Sequence, residues 1–413
     1  MTINYIWAFF FVGAFAAAAV QCLFFGNADI WDAMTGSVFD SAKTAFSISI
    51  NLTGILCFWL GMLKIAEKSG ITEILAKALY PLFRKIMPGL KKDSPAFGSI
   101  VMNMAANMLG LDNAATPMGL RAMEQMQNEN KNKDAASNEQ ILFMVINSSA
   151  VTLLPITIFM YRNELGSANP AMVFLPILLA TSVSTIVGFL SVAFVQKLNI
   201  FNRVVLSYAL VFLFFVLCVA CGFVFLNPAT RSQTVAQIGN FILILFVFAF
   251  VSAGLLKKIN VYDEFINGAK EGFNIAVSII PYLVAMLVAI AFFRTSGMLD
   301  MIVGGIEKIF VALDMNAEFV KALPTAFLKP LSGSGARAMM IETMKTYGAD
   351  SFAGFTSSII QGSTETTFYV LAVYFGAVKI SNTRHALPCA LLADLAGIVA
   401  AIVLGYCFYE ENI

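Results

Sequence analysis

The sequence predicts an all-α polytopic membrane protein built from two inverted-topology repeats with discontinuous helices. Three observations predict it. Of 413 residues, 59% are hydrophobic and only 12% charged, about half the ~25% charged fraction of a soluble domain. Runs such as 206–226, 241–256 and 279–293 approach or cross a hydrocarbon core of ~30 Å at ~1.5 Å rise per residue. Two further apolar regions are cut by clusters of Asn, Gly, Pro and Ser, and broken backbone is tolerated at membrane depth only where protein or a wet cavity satisfies it.

Taken in order, full-length helical spans are expected at 5–25, 44–64, 140–160, 171–196, 206–226, 238–256, 272–293 and 386–408. The first lacks a basic leader and is long for a signal peptide, so it reads as a retained span. The segment 94–127 is interrupted at Asn103, Asn107, Gly110, Asp112, Asn113 and Pro117, and 317–346 at Pro324, Pro330, Gly333 and Gly335. Each reads as two short helices meeting in a polar elbow. The stretch 352–375 carries Gln361, Ser363, Thr364, Glu365, Thr366 and Thr367 at its middle, so it spans with a local break. The Asn- and Lys-rich segment 127–137 reads as a solvated cytoplasmic loop.

Cytoplasmic segments carry excess Lys and Arg. Residues 64–93 hold seven basic and three acidic residues, whereas 27–43 holds Asp29, Asp32 and Asp40 against Lys43. The amino terminus is therefore expected in the cytoplasm of a bacterial inner-membrane, multi-pass protein. With 94–127 re-entrant, Lys197 with Arg203, Lys257 with Lys258, and Lys379 with Arg384 also fall inside, giving about nine spans and an external carboxyl terminus.

Composition excludes other classes. A formal net charge of +1 offers no basic surface for a nucleic acid. The single histidine, His385, leaves no His metal cluster and no ordinary nucleophilic triad. Following Arg384, it reads as a marker of the cytoplasmic membrane edge, and the chain is expected not to be an enzyme, with no cofactor and no metal. The six cysteines lie in apolar runs, as buried unpaired thiols do. Cys218 and Cys221 have C-x-x-C spacing but sit mid-span, where packing is expected rather than redox chemistry.

Self-comparison points to a duplication, against chance similarity between apolar segments. An offset of 227 aligns Lys43, Thr44, Ala45 and Phe46 with Lys270, Glu271, Gly272 and Phe273, and Ser69-Gly70 with Ser296-Gly297. Near 216, Gly119, Arg121 and Met123 meet Gly335, Arg337 and Met339; near 214, Asn147, Ser148 and Ser149 meet Gln361, Gly362 and Ser363. The expected halves are 1–200 and 201–413. Lys43 lies outside and Lys270 inside, so the copies enter from opposite sides, an arrangement that brings discontinuous helices together near the midplane.

The polar groups at these interruptions are the candidate site. Asn103 and Asn107, four apart, share a helix face. Asp112 or Asn113 is expected to cap the next helix, beside Thr116 and with Pro117 in its first turn. Ser332, Gly333, Ser334 and Gly335 precede a helix whose amino end presents free N–H groups. Asn147, Ser148 and Ser149, with Gln361, Ser363 and Thr364, complete the substrate-contacting set. A carboxylate at membrane depth defaults to function, so Glu365 is the first choice for ion or proton coupling and Asp394 the second. The alternative is structural pairing of either with Arg121 or Arg337. Methionines 102, 104, 108, 118, 123, 126, 339, 340 and 344 read as adaptable packing rather than metal ligands.

At these residues the chain resembles the spore maturation proteins A and B, joined in one polypeptide. The run from Asn103 to Gln127, with Gly110, Asp112, Asn113, Thr116, Pro117, Gly119, Arg121 and Met123, is similar to the A protein. The runs from Lys329 to Gly335 and from Gln361 to Tyr369, then Asp394 with Gly397, are similar to the B protein. Asp112 and Glu365 stand where Gly and Asp are common. The resemblance implies a nucleoside-recognition, or gate, domain of the kind also named in concentrative nucleoside transporters and the ferrous-iron transporter B, and a role in spore core dehydration in spore formers.

The function expected is secondary transport of a small polar solute bound at the midplane between the repeats, coupled to H+ or Na+. The alternative is a non-transporting scaffold or signalling subunit for envelope or spore maturation. Expected partners are the solute and the lipid bilayer, not nucleic acid, with homo-oligomerisation open.

Overall fold

Apolar runs without polar interruption become uninterrupted helices, and the interruptions become the breaks between short ones. A computed structural model describes the backbone of residues 2–225 and 231–409 and, within these, all side chains except those at 2, 3, 112–114, 216, 217, 219–225, 231, 232, 235 and 236. The helices are α1 (Thr2–Phe25), α2 (Ile30–Ser69), α3 (Ile71–Ile86), α4 (Ala96–Met108), α5 (Asp112–Glu129), α6 (Asn138–Ser148), α7 (Ile156–Glu164), α8 (Phe174–Gln196) and α9 (Arg203–Phe225). They continue as α10 (Arg231–Leu256), α11 (Val261–Thr295), α12 (Met298–Ala312), α13 (Leu323–Leu328), α14 (Gly333–Tyr347), α15 (Phe352–Ser363), α16 (Thr367–Ala377) and α17 (Ala386–Phe408). No β-strand occurs among the described residues.

Six described segments are long and apolar enough to cross a membrane: Asn4–Phe25, Ile30–Ser69, Pro170–Gln196, Gln237–Leu256, Val261–Thr295 and Ala386–Phe408. The chain is thus a multi-pass helical membrane protein. Rings such as Phe194, Phe214 and Phe248 stay 86%, 70% and 67% exposed, as a hydrocarbon solvent permits. Of the remaining expected spans, 206–226 runs past the described residues. The expected unbroken span 140–160 is corrected: α6 and α7 are separate helices with seven non-helical residues between them. Pro155 explains this, because it lacks an N–H and disfavours helical backbone at the residue before it. The break expected within 352–375 is present at residues 364–366, between α15 and α16.

The order of elements recurs, and so do most lengths, although α4 has 13 residues and α13 only 6. Helices α2, α3, α5, α6, α7 and α8 have 40, 16, 18, 11, 9 and 23 residues. Helices α11, α12, α14, α15, α16 and α17 have 35, 15, 15, 12, 11 and 23. The turn into α3 rests on Gly70 at φ 84° and the turn into α12 on Gly297 at φ 73°, a left-handed conformation glycine adopts without steric cost. Before each, a serine hydroxyl donates three residues back, Ser69 to Ala66 and Ser296 to Phe293.

The described residues form two compact units. The first takes those within 1–61, 157–170 and 266–361, the second those within 62–156, 171–265 and 362–413. Two of the boundaries, 156/157 and 361/362, fall at or beside the helix breaks.

In the first unit, α1 lies on the end of α11. Trp7 Nε1 donates to the Ala285 carbonyl at 3.0 Å and Gln21 to that of Ser296 at 2.8 Å, and the Phe10 and Phe293 rings stack 4.9 Å apart. In the second unit the core includes Phe83, Ile100, Met123, Phe143 and Ala390. Amphipathic α3 buries Thr72, Ala76, Phe83 and Ile86 there while Lys77, Arg84 and Lys85 stay exposed. Met104, Met123, Met126, Met339, Met340 and Met344 are all buried, consistent with packing. Of the described cysteines Cys389 is buried, but Cys218 and Cys407 are exposed, which corrects the expectation of uniformly buried thiols: a thiol facing lipid has no water to avoid. Cys221, the partner in the C-x-x-C spacing, lies outside the described side chains.

Candidate functional site

The polar cluster of the second unit grows from four helix ends and two whole helices. Helix α4 stops at Leu109 because Gly110 turns the chain at φ 72°. Helix α5 then begins at Asp112 with Leu111 in the cap position and Pro117 in its second turn, which corrects the expected Asp112 or Asn113 cap. The side chains of Asp112 and Asn113 lie outside the described residues.

Asn103 and Asn107, one turn apart on α4, meet Asn147 of α6 and Tyr374 of α16. Asn107 Nδ2 donates to Asn147 Oδ1 at 2.7 Å and reaches Asn103 Oδ1 at 3.5 Å. Asn103 Nδ2 donates to the Ala115 carbonyl at 2.8 Å and to the Tyr374 hydroxyl at 3.2 Å. That hydroxyl donates to Asn147 Oδ1 at 3.3 Å, and Asn147 Nδ2 donates to the Phe143 carbonyl at 2.9 Å. Asn103 and Asn147 are buried and their amides are occupied by protein groups; Asn107 is half-buried. Gly119 leaves the room for Tyr374, since a Cβ there would stand 2.4 Å from the phenolic oxygen.

Next to this network the breaks meet. The N–H of Glu365 donates to the Ser148 carbonyl at 2.8 Å, so the carbonyl end of α6 and the amide end of α16 face one contact, placing opposite dipole ends together. The α6–α7 loop is held by Leu153 N–H on the Met108 carbonyl at 2.8 Å and by the Thr185 hydroxyl on the Ser149 carbonyl. Ser148, Ser149 and Ser363 are fully buried, Thr116 is half-buried, and Glu365 is exposed. Thr364 and Thr367, 3% and 0% exposed, have hydroxyls that meet no hydrogen-bond partner among the described groups.

Helices α8 and α17 back this cluster. Their close approach rests on small residues: Ser184 donates to the Ala393 carbonyl at 2.9 Å, and Gly397 lies under Thr364 and Ser363. Asp394, one residue beyond Ala393, is 2% exposed. The structure thus brings together Asn103, Asn107 and Asn147, and joins Ser148 to Glu365.

Ser332, Ser334 and Gln361 belong to the first unit. Ser332 caps α14 by accepting from the Gly335 N–H at 3.0 Å, as its position before the helix predicts, and Ser334 stands 3.3 Å from its hydroxyl. Gln361 is buried. The dominant polar group of this unit is one that sequence reasoning missed, Arg162 of α7. It is fully buried and donates to Asp350 Oδ1 at 2.7 Å, the Ala349 carbonyl at 2.8 Å, Ser167 at 3.1 Å and Ser358 at 3.3 Å. Tyr374 was missed too. The available signals were an arginine abutting an apolar run and a tyrosine inside one.

A helical membrane protein whose interrupted helices carry buried polar networks is the class these features define. More particularly, the chain belongs to the Gate nucleoside-recognition family, whose model matches residues 49–168 and 276–381. It is 50% identical to spore maturation protein B of Bacillus subtilis (strain 168) over 151 residues, covering 37% of this chain and 83% of that protein. It is 43% identical to spore maturation protein A of the same organism over 150 residues, 36% of this chain and 76% of that one. No solved structure matches.

Proposed function

We propose that the protein is a secondary transporter of a small polar solute, built as two inverted repeats, with its amino terminus in the cytoplasm. The two family matches run from within α2 to just past α7 and from within α11 to just past α16, and most helix lengths correspond over the same stretches. That supports a duplication, with halves meeting near residue 200. The inversion rests on charge: an odd number of crossings between the copies puts the basic α3 region inside and the balanced α12 region outside.

The observation that carries the solute reading is the pair of buried hydroxyls, Thr364 and Thr367, left unpartnered where α15 and α16 break. A buried polar group without a partner costs ~1–3 kcal/mol, and a bound polar ligand removes that cost. Asn107, half-buried with a carbonyl oxygen outside the bonds described above, and Thr364 contact the solute. Asn103, Asn147 and Tyr374 position Asn107. Glu365, a carboxylate at the break, is the coupling group, and Asp394 supports the same region from α17. The chemistry is binding and release, with no bond made or broken.

The test is an untargeted metabolite comparison of proteoliposomes carrying the wild-type protein, Glu365→Gln, or no protein. A solute gained or lost with wild-type protein in a pH- or sodium-dependent way, and not with Glu365→Gln inserted to the same level, is expected. Identical metabolite profiles in all three preparations would overturn the reading.

A further inference from the structure

In the first unit α1 closes one side of a cavity of about 240 Å³ whose other walls are the end of α11, α12, α13 and the middle of α14. Every lining residue is apolar, among them Phe9, Phe10, Phe293, Ile302, Pro324 and Phe327. An apolar cavity of ~150 Å³ stays dry and takes up benzene, so this one has room for a longer hydrocarbon. Phe9, Ile302 and Phe327 remain 48%, 42% and 56% exposed, so the cavity opens onto the apolar outer surface.

Cations stand close along the chain from two of its walls. Arg294 follows Phe293, and Lys321 precedes Leu323 by two residues. The Arg294 guanidinium carbon and Lys321 Nζ each lie 5.6 Å from the centre of the Tyr347 ring, so two positive charges lie against one ring. Arg294 Nε lies 3.5 Å from Glu342, and its Nη1 donates to the Thr346 hydroxyl, which donates to Glu342 at 3.4 Å. The described contacts set two cations against one carboxylate.

We propose that this face binds an anionic phospholipid, its phosphate contacting Arg294 and Lys321 and one acyl chain in the cavity beneath α1. Such a lipid matches both features. A zwitterionic headgroup brings its own cation toward the Arg294 and Lys321 pair, and a soluble phosphate leaves the apolar space empty. Charge-assisted hydrogen bonds to phosphate set orientation and affinity, while the buried chain supplies hydrophobic free energy. This site is separate from the solute cluster of the second unit and does not depend on it.

The test uses the full chain in mild detergent, titrated with phosphatidylglycerol or phosphatidylcholine and followed by native mass spectrometry. Phosphatidylglycerol is expected to bind about tenfold more tightly, the size of one charge-assisted bond. Arg294→Gln with Lys321→Gln abolishes that preference, and Val303→Trp, which fills the cavity, weakens both lipids. If the double variant fails a circular-dichroism check, Lys321→Gln alone carries the test, with the preference expected to fall about threefold. Equal binding of the two lipids, a preference untouched by these variants, or displacement by glycerol 3-phosphate at the lipid's own concentration would overturn the proposal.

Discussion

Replacing Tyr374 with Phe removes one oxygen from the centre of the asparagine network. That oxygen accepts from Asn103 at 3.2 Å and donates to Asn147 at 3.3 Å. Hydrogen bonds between membrane helices average ~0.6 kcal/mol in mutant cycles, so two long ones are worth about 1 kcal/mol. Asn103 keeps the Ala115 carbonyl at 2.8 Å and Asn147 Oδ1 keeps Asn107 at 2.7 Å, so no buried polar atom of the pair is orphaned. Asn147→Leu differs: it strips the acceptor from both Asn107 and the Tyr374 hydroxyl, and a buried donor left unpaired adds ~1–3 kcal/mol. Its expected cost is roughly 2–4 kcal/mol. In Asn147→Leu/Tyr374→Phe the hydroxyl that loses its acceptor is itself gone, so the double variant loses less than the sum of the singles. The assay is reversible unfolding in mixed micelles with sodium dodecyl sulfate as denaturant. Equal costs for the two single variants, or strict additivity, would refute the network as described.

Gly397→Ala places a methyl 2.7 Å from Thr364 Cγ2, 3.0 Å from Ser184 Cβ and 3.1 Å from the Ser363 carbonyl oxygen. Overpacking of ~1–3 kcal/mol follows, read as a lowered melting temperature together with altered solute affinity. Arg162→Met removes the guanidinium that holds Asp350, Ser167, Ser358 and the Ala349 carbonyl. Because Asp350 is 24% exposed, water recovers part of the loss, which is expected at the low end for a broken buried pair, ~3 kcal/mol; Arg162→Lys restores only some of it, lacking the planar fork. His385, held against Gln196 at 3.0 Å at the start of α17, titrates below its ordinary 6.5 because burial and then the charge of Arg384 disfavour its protonated form. The unfolded chain therefore binds this proton first as pH falls, so the stability held above pH 6.5 declines below it, and thermal unfolding of His385→Asn against pH is expected to lack that component.

Much of the architecture is legible in residue order because lipid makes the rules few. The helix stops at Gly110 and at the Ser363–Thr366 cluster follow from residues that cannot continue an apolar helix, and Ser332 announces the start of α14. The four-residue spacing of Asn103 and Asn107 already puts them on one face. The gap between α6 and α7 is harder to read, because its flanks are as apolar as any span and only Pro155 with the preceding hydroxyls marks it. Tyr374 and Arg162 are not legible as network centres. Their partners lie 227 and 271 residues away for Tyr374, and 188 residues away for Arg162, so their roles arise from tertiary contact alone. Asp112 illustrates the reverse case: its chemistry reads as a cap, but the tight turn at Gly110 gives the cap position to Leu111.

The account depends on water reaching Asn107 and Glu365 at membrane depth in the second unit. With all six cysteines replaced by serine, Asn107→Cys, Glu365→Cys and the lipid-facing control Phe214→Cys in sealed proteoliposomes are treated with a membrane-impermeant methanethiosulfonate. Rapid labelling of the first two, slowed by the transported solute, with an inert control is the predicted result. Labelling of Asn107→Cys and Glu365→Cys no faster than that of Phe214→Cys would contradict it.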